Sequence, residues 1–134
     1  MRNGHLADVH LDTAVAGRSE TGRRRLREAS REAFRRTADL AIREDANALL
    51  IAGDLFDNDW LTIATERLVV DELRRLTAVG VTGVYATGNH DPGRANYRAM
   101  QIDWPSERFH LIRSRVPESI AVESDGEPVG RVVG

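Results

Sequence analysis

The chain has 134 residues, 41% hydrophobic and 30% charged, with a net charge of −2 and no cysteine. That is one domain's length and a soluble globular composition rather than a disordered one, and the lack of cysteine excludes a disulfide scaffold, a Cys-ligated zinc site and a thiol nucleophile. Apolar runs such as Ala48-Leu49-Leu50-Ile51-Ala52 are too short to span a membrane, and no secretory leader is read at the start, so a cytoplasmic location is expected. All 19 basic residues are arginine, densest between Arg18 and Arg43.

In chain order, Leu6 to His10 is expected to form a short first strand, preceded by Arg2-Asn3-Gly4, a poor apolar lead-in. Thr21 to Glu44 has a helical pattern. It sets Leu26, Ala29, Ala33, Leu40 and Ala41 near one face and Arg24, Arg27, Arg31 and Arg35 on another. Ala48 to Ala52 is a continuous apolar run that ends in Gly53-Asp54, the pattern of a buried strand running into a loop. Leu61 to Val79 is a second helix with Val69, Val70, Leu73 and Leu76 inward and Gly80 at its C-cap. Val81 to Ala86 is a third strand, closed by the turn Gly88-Asn89-His90-Asp91-Pro92. Asn96 to Met100 is a short helix, and Phe109 to Ile112 and Ile120 to Glu123 are short strands. Ser124-Asp125-Gly126-Glu127 is a hairpin turn, returning through Val129 to Val133.

Strands alternating with helices imply an α/β fold with a parallel sheet. Loops at the carboxyl ends of such strands gather on one edge, where sites form. The polar clusters fall at those ends: Asp8 and His10, then Asp54 and Asp57, then Asn89, His90 and Asp91. Carboxylates with some imidazole suit Mn²⁺, Fe²⁺, Mg²⁺ or Zn²⁺. In an extended segment the spacing of Asp8 and His10 puts both side chains on one side, within reach of one ion. Asp54 has two oxygens and can bridge two ions, and Asn89 adds a neutral ligand. A metal pair suits phosphoester cleavage, and a neighbouring His can protonate the leaving oxygen.

Asp8-Val9-His10, Gly53-Asp54-Leu55-Phe56-Asp57 and Gly88-Asn89-His90-Asp91 resemble the first three signature blocks of the calcineurin-like metallophosphoesterases. The resemblance covers Leu6 to Asp91. It implies the N-terminal half of a four-layer α/β/β/α sandwich. It further implies that Asp8 and His10 hold a first metal, Asp54 bridges, Asn89 holds the second, His90 is the general acid and Asp57 orients it. The metals would be two divalent ions, Mn²⁺ foremost. The wider pattern is similar to the SbcD-like DNA-repair exonuclease branch, which implies DNA ends as substrate and an SMC-like ATPase as partner. Protein Ser/Thr phosphatases carry Arg-Gly where this chain has Asn58-Asp59. The family supplies a further His and a Gly-His-x-His block downstream, and the four His here (His5, His10, His90 and His110) do not form one. The chain is therefore expected to be the truncated front part of the domain, over residues 1–134. A small-molecule phosphoesterase of the same family, or an inactive remnant, are the alternatives.

Several residues have plainer readings. Asp91 before Pro92 is expected to be a turn former rather than a catalyst. His5 and His110 are expected to be ordinary strand histidines, and Trp60 and Trp104 packing anchors. The Arg-rich helix face is expected to be a solvated face paired with Glu28, Glu32 and Glu44, with nucleic-acid contact as the alternative. Arg94 and Arg98, just past the third block, are the better candidates for a substrate phosphate.

Overall fold

A computed structural model gives the fold and describes residues 1–14, 19–57 and 61–134. Trp60 lies outside the described residues. Four parallel strands, β1 (Asn3–Leu6), β2 (Ala48–Ala52), β3 (Thr82–Ala86) and β4 (Phe109–Ile112), pair in the order β1-β2-β3-β4. Helices α1 (Glu20–Arg43) and α2 (Ile63–Ala78) make the first two crossovers. A two-stranded antiparallel sheet, β5 (Ser119–Ser124) and β6 (Glu127–Val133), follows. Its turn has Asp125 and Gly126 at φ 53° and 82°, the two left-handed positions of a type I′ hairpin.

Alternation along the strands separates two cores. Leu49, Ile51 and Tyr85 pack with Phe34, Ala38, Ala41, Val69, Leu73 and Leu76 of the helices. Val84 and Ile112 pack with Ile120, supported by Leu50, Ala86 and Val132, on the hairpin side. The layers are therefore helices, parallel sheet and hairpin sheet, as expected of the front part of the sandwich. Trp104 packs as an anchor: its ring stacks on Phe109 with centroids 5.2 Å apart, and its Nε1 donates to the Ala99 carbonyl at 3.1 Å.

Two expectations are corrected. The first strand is Asn3–Leu6, not Leu6 to His10. Gly4 succeeds there because the chain lies close to β2: a Cβ on it would meet Leu49 Cδ1 at 3.0 Å. On α1 the buried residues are Phe34, Ala38 and Ala41, whereas Leu26 and Leu40 are 41% and 47% exposed. Of the expected inner face only Ala41 is buried; Ala29 and Ala33 are exposed with Leu26 and Leu40, and the stripe turned inward runs through Phe34 and Ala38 in the second half of the helix. On α2 the expected Val69, Val70, Leu73 and Leu76 are all buried.

One polar network joins the first loop to both helices. Asp12 is buried, with φ 60°. Its carboxylate accepts from Arg31 Nη2 at 3.0 Å, from Thr65 Oγ1 at 2.8 Å, and from the Thr62 amide and hydroxyl at 2.8 Å each. Thr62 is also the N-cap of α2. Burial alone would raise the Asp12 carboxyl, but the Thr62 and Thr65 hydrogen bonds and the Arg31 charge outweigh it and hold it below the usual carboxylate range. Asp12→Asn should lower stability by about 2–4 kcal/mol, since it removes the buried charge partner of the largely buried Arg31 and leaves it only the exposed Glu28. Urea unfolding measures it, and an unchanged midpoint would refute the network's structural weight.

Candidate metal centre

Strands β1, β2 and β3 deliver three loops to one edge of the sheet. The first is zipped onto the second beyond the strands themselves: the His10 amide donates to the Asp54 carbonyl at 3.0 Å and the Leu11 amide to the Leu55 carbonyl at 2.9 Å. Asp8, His10 and Asp54 all have left-handed backbones, at φ 51°, 49° and 49°. Asp8 and His10 are therefore not side by side on an extended segment, which corrects the spacing argument. They converge because these hydrogen bonds curl the loop: Asp8 Oδ1 lies 3.9 Å from His10 Nε2. Such strained backbone costs energy, is held by its surroundings and clusters at functional sites.

The second and third loops are pressed together. Gly53 has φ 75°, and a Cβ on it would meet Gly88 Cα at 3.2 Å. A Cβ on Gly88 would lie 2.6 Å from the Asp54 amide nitrogen and 2.8 Å from Asp54 Cγ. Between them sits Asp91, 1% exposed. Its Oδ1 accepts from the Gly88 amide at 2.7 Å and the Asp54 amide at 3.0 Å. Its Oδ2 accepts from the Phe56 amide at 3.2 Å and from the Tyr85 hydroxyl. Asp91 is thus more than the turn former that Pro92 suggests. Amides leaving a parallel sheet need acceptors, and a carboxylate just after a glycine turn can supply them. That was the available signal. Burial, with the Asp91 charge close by, pushes the Tyr85 hydroxyl well above its ordinary value.

Asp57 stands between two imidazoles. Its Oδ1 is 3.0 Å from His10 Nδ1 and 3.2 Å from His90 Nδ1. The His90 Nδ1 also lies 3.1 Å from the Asp57 carbonyl oxygen. The rings meet edge to face with centroids 5.0 Å apart. An ionised carboxylate and a carbonyl can only accept, so both rings donate from Nδ1 and present Nε2. The His90 amide, in turn, donates to Asp54 Oδ1 at 2.9 Å.

Ligand atoms of Asp8, His10 and Asp54 all lie within 4.8 Å of one another, and so do those of His10, Asp57 and His90. Carboxylate oxygens with imidazole fit a divalent ion. Asn89 is exposed on the same turn as His90. His5 and His110 are exposed in β1 and β4 and belong to neither group. Arg94 is exposed beyond Pro92, whereas Arg98 Nη2 is paired with Glu66 at 2.7 Å, on the first turn of α2. Among the described residues, no helix is long and apolar enough to cross a membrane.

A family model for calcineurin-like phosphoesterases matches residues 1–127. The chain is 30% identical over 133 residues to the uncharacterized metallophosphoesterase YhaO of Bacillus subtilis, covering 97% of this chain and 32% of that protein. It is 34% identical over 87 residues to the DNA double-strand break repair protein Mre11 of Aeropyrum pernix, covering 65% of this chain and 20% of the relative. The chain thus spans a third or less of these relatives' length. The crystal structure of Pseudomonas putida nuclease MPE shares the fold, with a TM-score of 0.52 at 24% identity, over 81% of this chain and 46% of that one.

Two outcomes follow from this geometry. Gly88→Ala should force the second and third loops apart and weaken divalent-metal binding about tenfold or more, as read by calorimetric titration; unchanged affinity would show that the contact is not needed. The second concerns Tyr85. An unfolded tyrosine ionises near pH ~10 while Tyr85 stays neutral, because its folded value is raised. Its contribution is therefore complete below that pH and is lost as pH rises above it, at about 1.4 kcal/mol per unit. Stability measured from pH 8 to 11.5, compared with Tyr85→Phe, checks the sign: the wild type should lose its advantage on the alkaline side.

Proposed function

Because the chain belongs to the calcineurin-like phosphoesterase family, we propose that it supplies the metal-binding edge of a phosphodiester hydrolase that acts on DNA ends. The observation that carries this reading is the single edge on which Asp8, His10 and Asp54 converge beside the Asp57–His90 pair. The Mre11 relatives support DNA as the substrate.

Asp8, His10 and Asp54 would hold one divalent ion, and Asp54 with Asn89 a second, with Mn²⁺ the preferred metal. When bound, the pair polarises the phosphate and acidifies a water toward neutral pH. The protein's own part is positional. Hydrogen bonds hold His10 and Asp54 in place before any ion arrives, so little ordering of these two donors remains to be done on binding. Asp57 holds the Nδ1–H of His90, so that Nε2 is the nitrogen left to exchange a proton; it is the imidazolium form, protonated at both nitrogens, that would hand one to the leaving oxygen and return to the neutral ring. Arg94 is exposed and could meet a flanking phosphate; Arg98, tied to Glu66, would first have to leave it.

The test is cleavage of end-labelled linear duplex DNA with Mn²⁺, against hydrolysis of simple phosphate esters. Metal-dependent DNA cleavage supports the reading, and turnover of esters alone would assign a small-molecule phosphoesterase. His90→Asn should leave Mn²⁺ affinity within about twofold while turnover falls about 10²–10⁴-fold. Undiminished turnover would remove His90 from the acid role.

A further inference from the structure

Helix α1 is too long for the sheet it covers. Its 24 residues span about 36 Å, whereas the five residues of β2 span about 17 Å. The residues it buries are Phe34, Ala38 and Ala41, all in its second half, and from Glu20 to Ser30 it buries none. Its last turn lies at the amino edge of the sheet, where Arg2 reaches the Glu44 carbonyl. Its first half therefore overhangs the opposite edge, the one that carries the metal loops. The overhang's orientation is fixed by Arg31, which binds Asp12, two residues past His10, and the two α2 threonines.

The overhang is strongly basic. From Glu20 to Arg31 five arginines stand against two glutamates, a net +3 in a chain whose total is −2. Arg23 is paired with Glu20, and Arg31 with Asp12 and Glu28. Among the described residues, no ion pair engages Arg24, Arg25 or Arg27. Arg27 and Arg24 share the helical face of Arg31, one and two turns further out. Arg27 lines a shallow groove with Asp12, Leu61 and Thr62 that opens beside the first metal loop. The expected Glu-paired face holds at Arg31 with Glu28, at Arg35 and Arg36 with Glu32 and at Arg43 with Glu44, but among the described residues Arg24 and Arg27 have no such pair.

We propose that the amino-terminal half of α1 is a docking arm for the phosphate backbone of duplex DNA, with Arg24, Arg25 and Arg27 as its contacts. The inference rests on the DNA reading above and adds to it the surface that holds the duplex. Charge complementarity selects the partner. Duplex DNA carries one negative charge per about 1.7 Å of axis, so guanidinium groups on one helix that are in no ion pair among the described residues meet several phosphates at once. A lipid surface fits less well, because the arm lacks the continuous apolar face that an interfacial helix inserts.

The experiment measures binding of a fluorescent 20-base-pair duplex by anisotropy across a salt series in EDTA, where no cleavage occurs. The combined variant Arg24→Gln, Arg25→Gln, Arg27→Gln keeps helix-forming side chains at exposed or half-exposed positions. Its affinity at low salt should fall about tenfold or more, and its log–log salt slope should shrink by about two to three. Mn²⁺-dependent hydrolysis of a small phosphodiester should be unchanged. An unaltered affinity and slope would overturn the arm, as would a wild type with no affinity for duplex. Loss of the small-ester activity in the wild type, with arm-dependent binding intact, would instead sink the phosphoesterase reading. Circular dichroism of the variant, with the single Arg25→Gln variant beside it, separates lost binding from lost folding.

Discussion

The buried carboxylate of Asp91 is the constraint on which the edge depends. Three backbone amides from two loops, and one phenol, converge on its two oxygens. Each of those amides leaves a parallel sheet with no strand to pair with, and each would be costly to bury alone. One carboxylate answers all of them and thereby sets the separation between the Asp54 loop and the Gly88 turn. Gly53 and Gly88 let the two backbones touch, and the carboxylate keeps them there. Asp54 owes its position to this clamp from below and to the His90 amide from the side.

A second carboxylate repeats the arrangement for the first loop. Asp12 lies two residues after His10 and ties that loop to α1 through Arg31 and to α2 through Thr62 and Thr65. Asp57 completes the set by holding two imidazoles on one oxygen. Three carboxylates thus act on neighbouring groups while Asp8 and Asp54 point their oxygens toward a common point with His10. The division is physical. The carboxylates that organise are met by amides, hydroxyls or imidazoles, and Asp8, the most exposed of the ligand group, has the nearest imidazole 3.9 Å away.

Much of this was legible in the sequence, for identifiable reasons. The runs of β2 and β3 are apolar and bounded by glycine, so their ends, and hence the loops carrying Asp54 and His90, were fixed within a residue or two. The hairpin at Asp125-Gly126 was legible because that dipeptide suits two left-handed positions. The first strand was not, because Asn3 and Gly4 lack strand propensity and pairing with Ala48 and Leu49 overrides it. The curl at Asp8 and His10 was hidden too: it arises from cross-loop hydrogen bonds to Asp54 and Leu55, about 45 residues away, that no local spacing can report. In the sequence Asp91 reads only as a turn residue, because its partners are mostly backbone amides, which have no identity there. Periodicity along the whole of α1 points Leu26, Ala29, Ala33, Leu40 and Ala41 inward, but the first half of the helix buries no residue of its own, and of these only Ala41 is buried.

That half-unpacked helix makes sense beside the electrostatics of the edge. Asp8, Asp12, Asp54, Asp57 and Asp91 crowd one end of the sheet, and outside Glu20–Arg31 the chain carries a net −5. A phosphodiester approaching such a surface is repelled before it reaches any ligand, and local counter-charge has to come from somewhere. Divalent ions offset the repulsion at the reacting phosphate but do nothing for its neighbours along a strand, since fields at the surface fade within about 8–10 Å at ordinary salt. Cations on a rigid arm, held by Arg31 and at Arg24, Arg25 and Arg27 in no ion pair among the described residues, act over those neighbouring positions. Burying the first half of α1 would have added core but consumed that arm. Leaving it exposed keeps a strip of positive charge next to an acidic metal edge, which is the distribution a polyanion needs and a small neutral substrate does not.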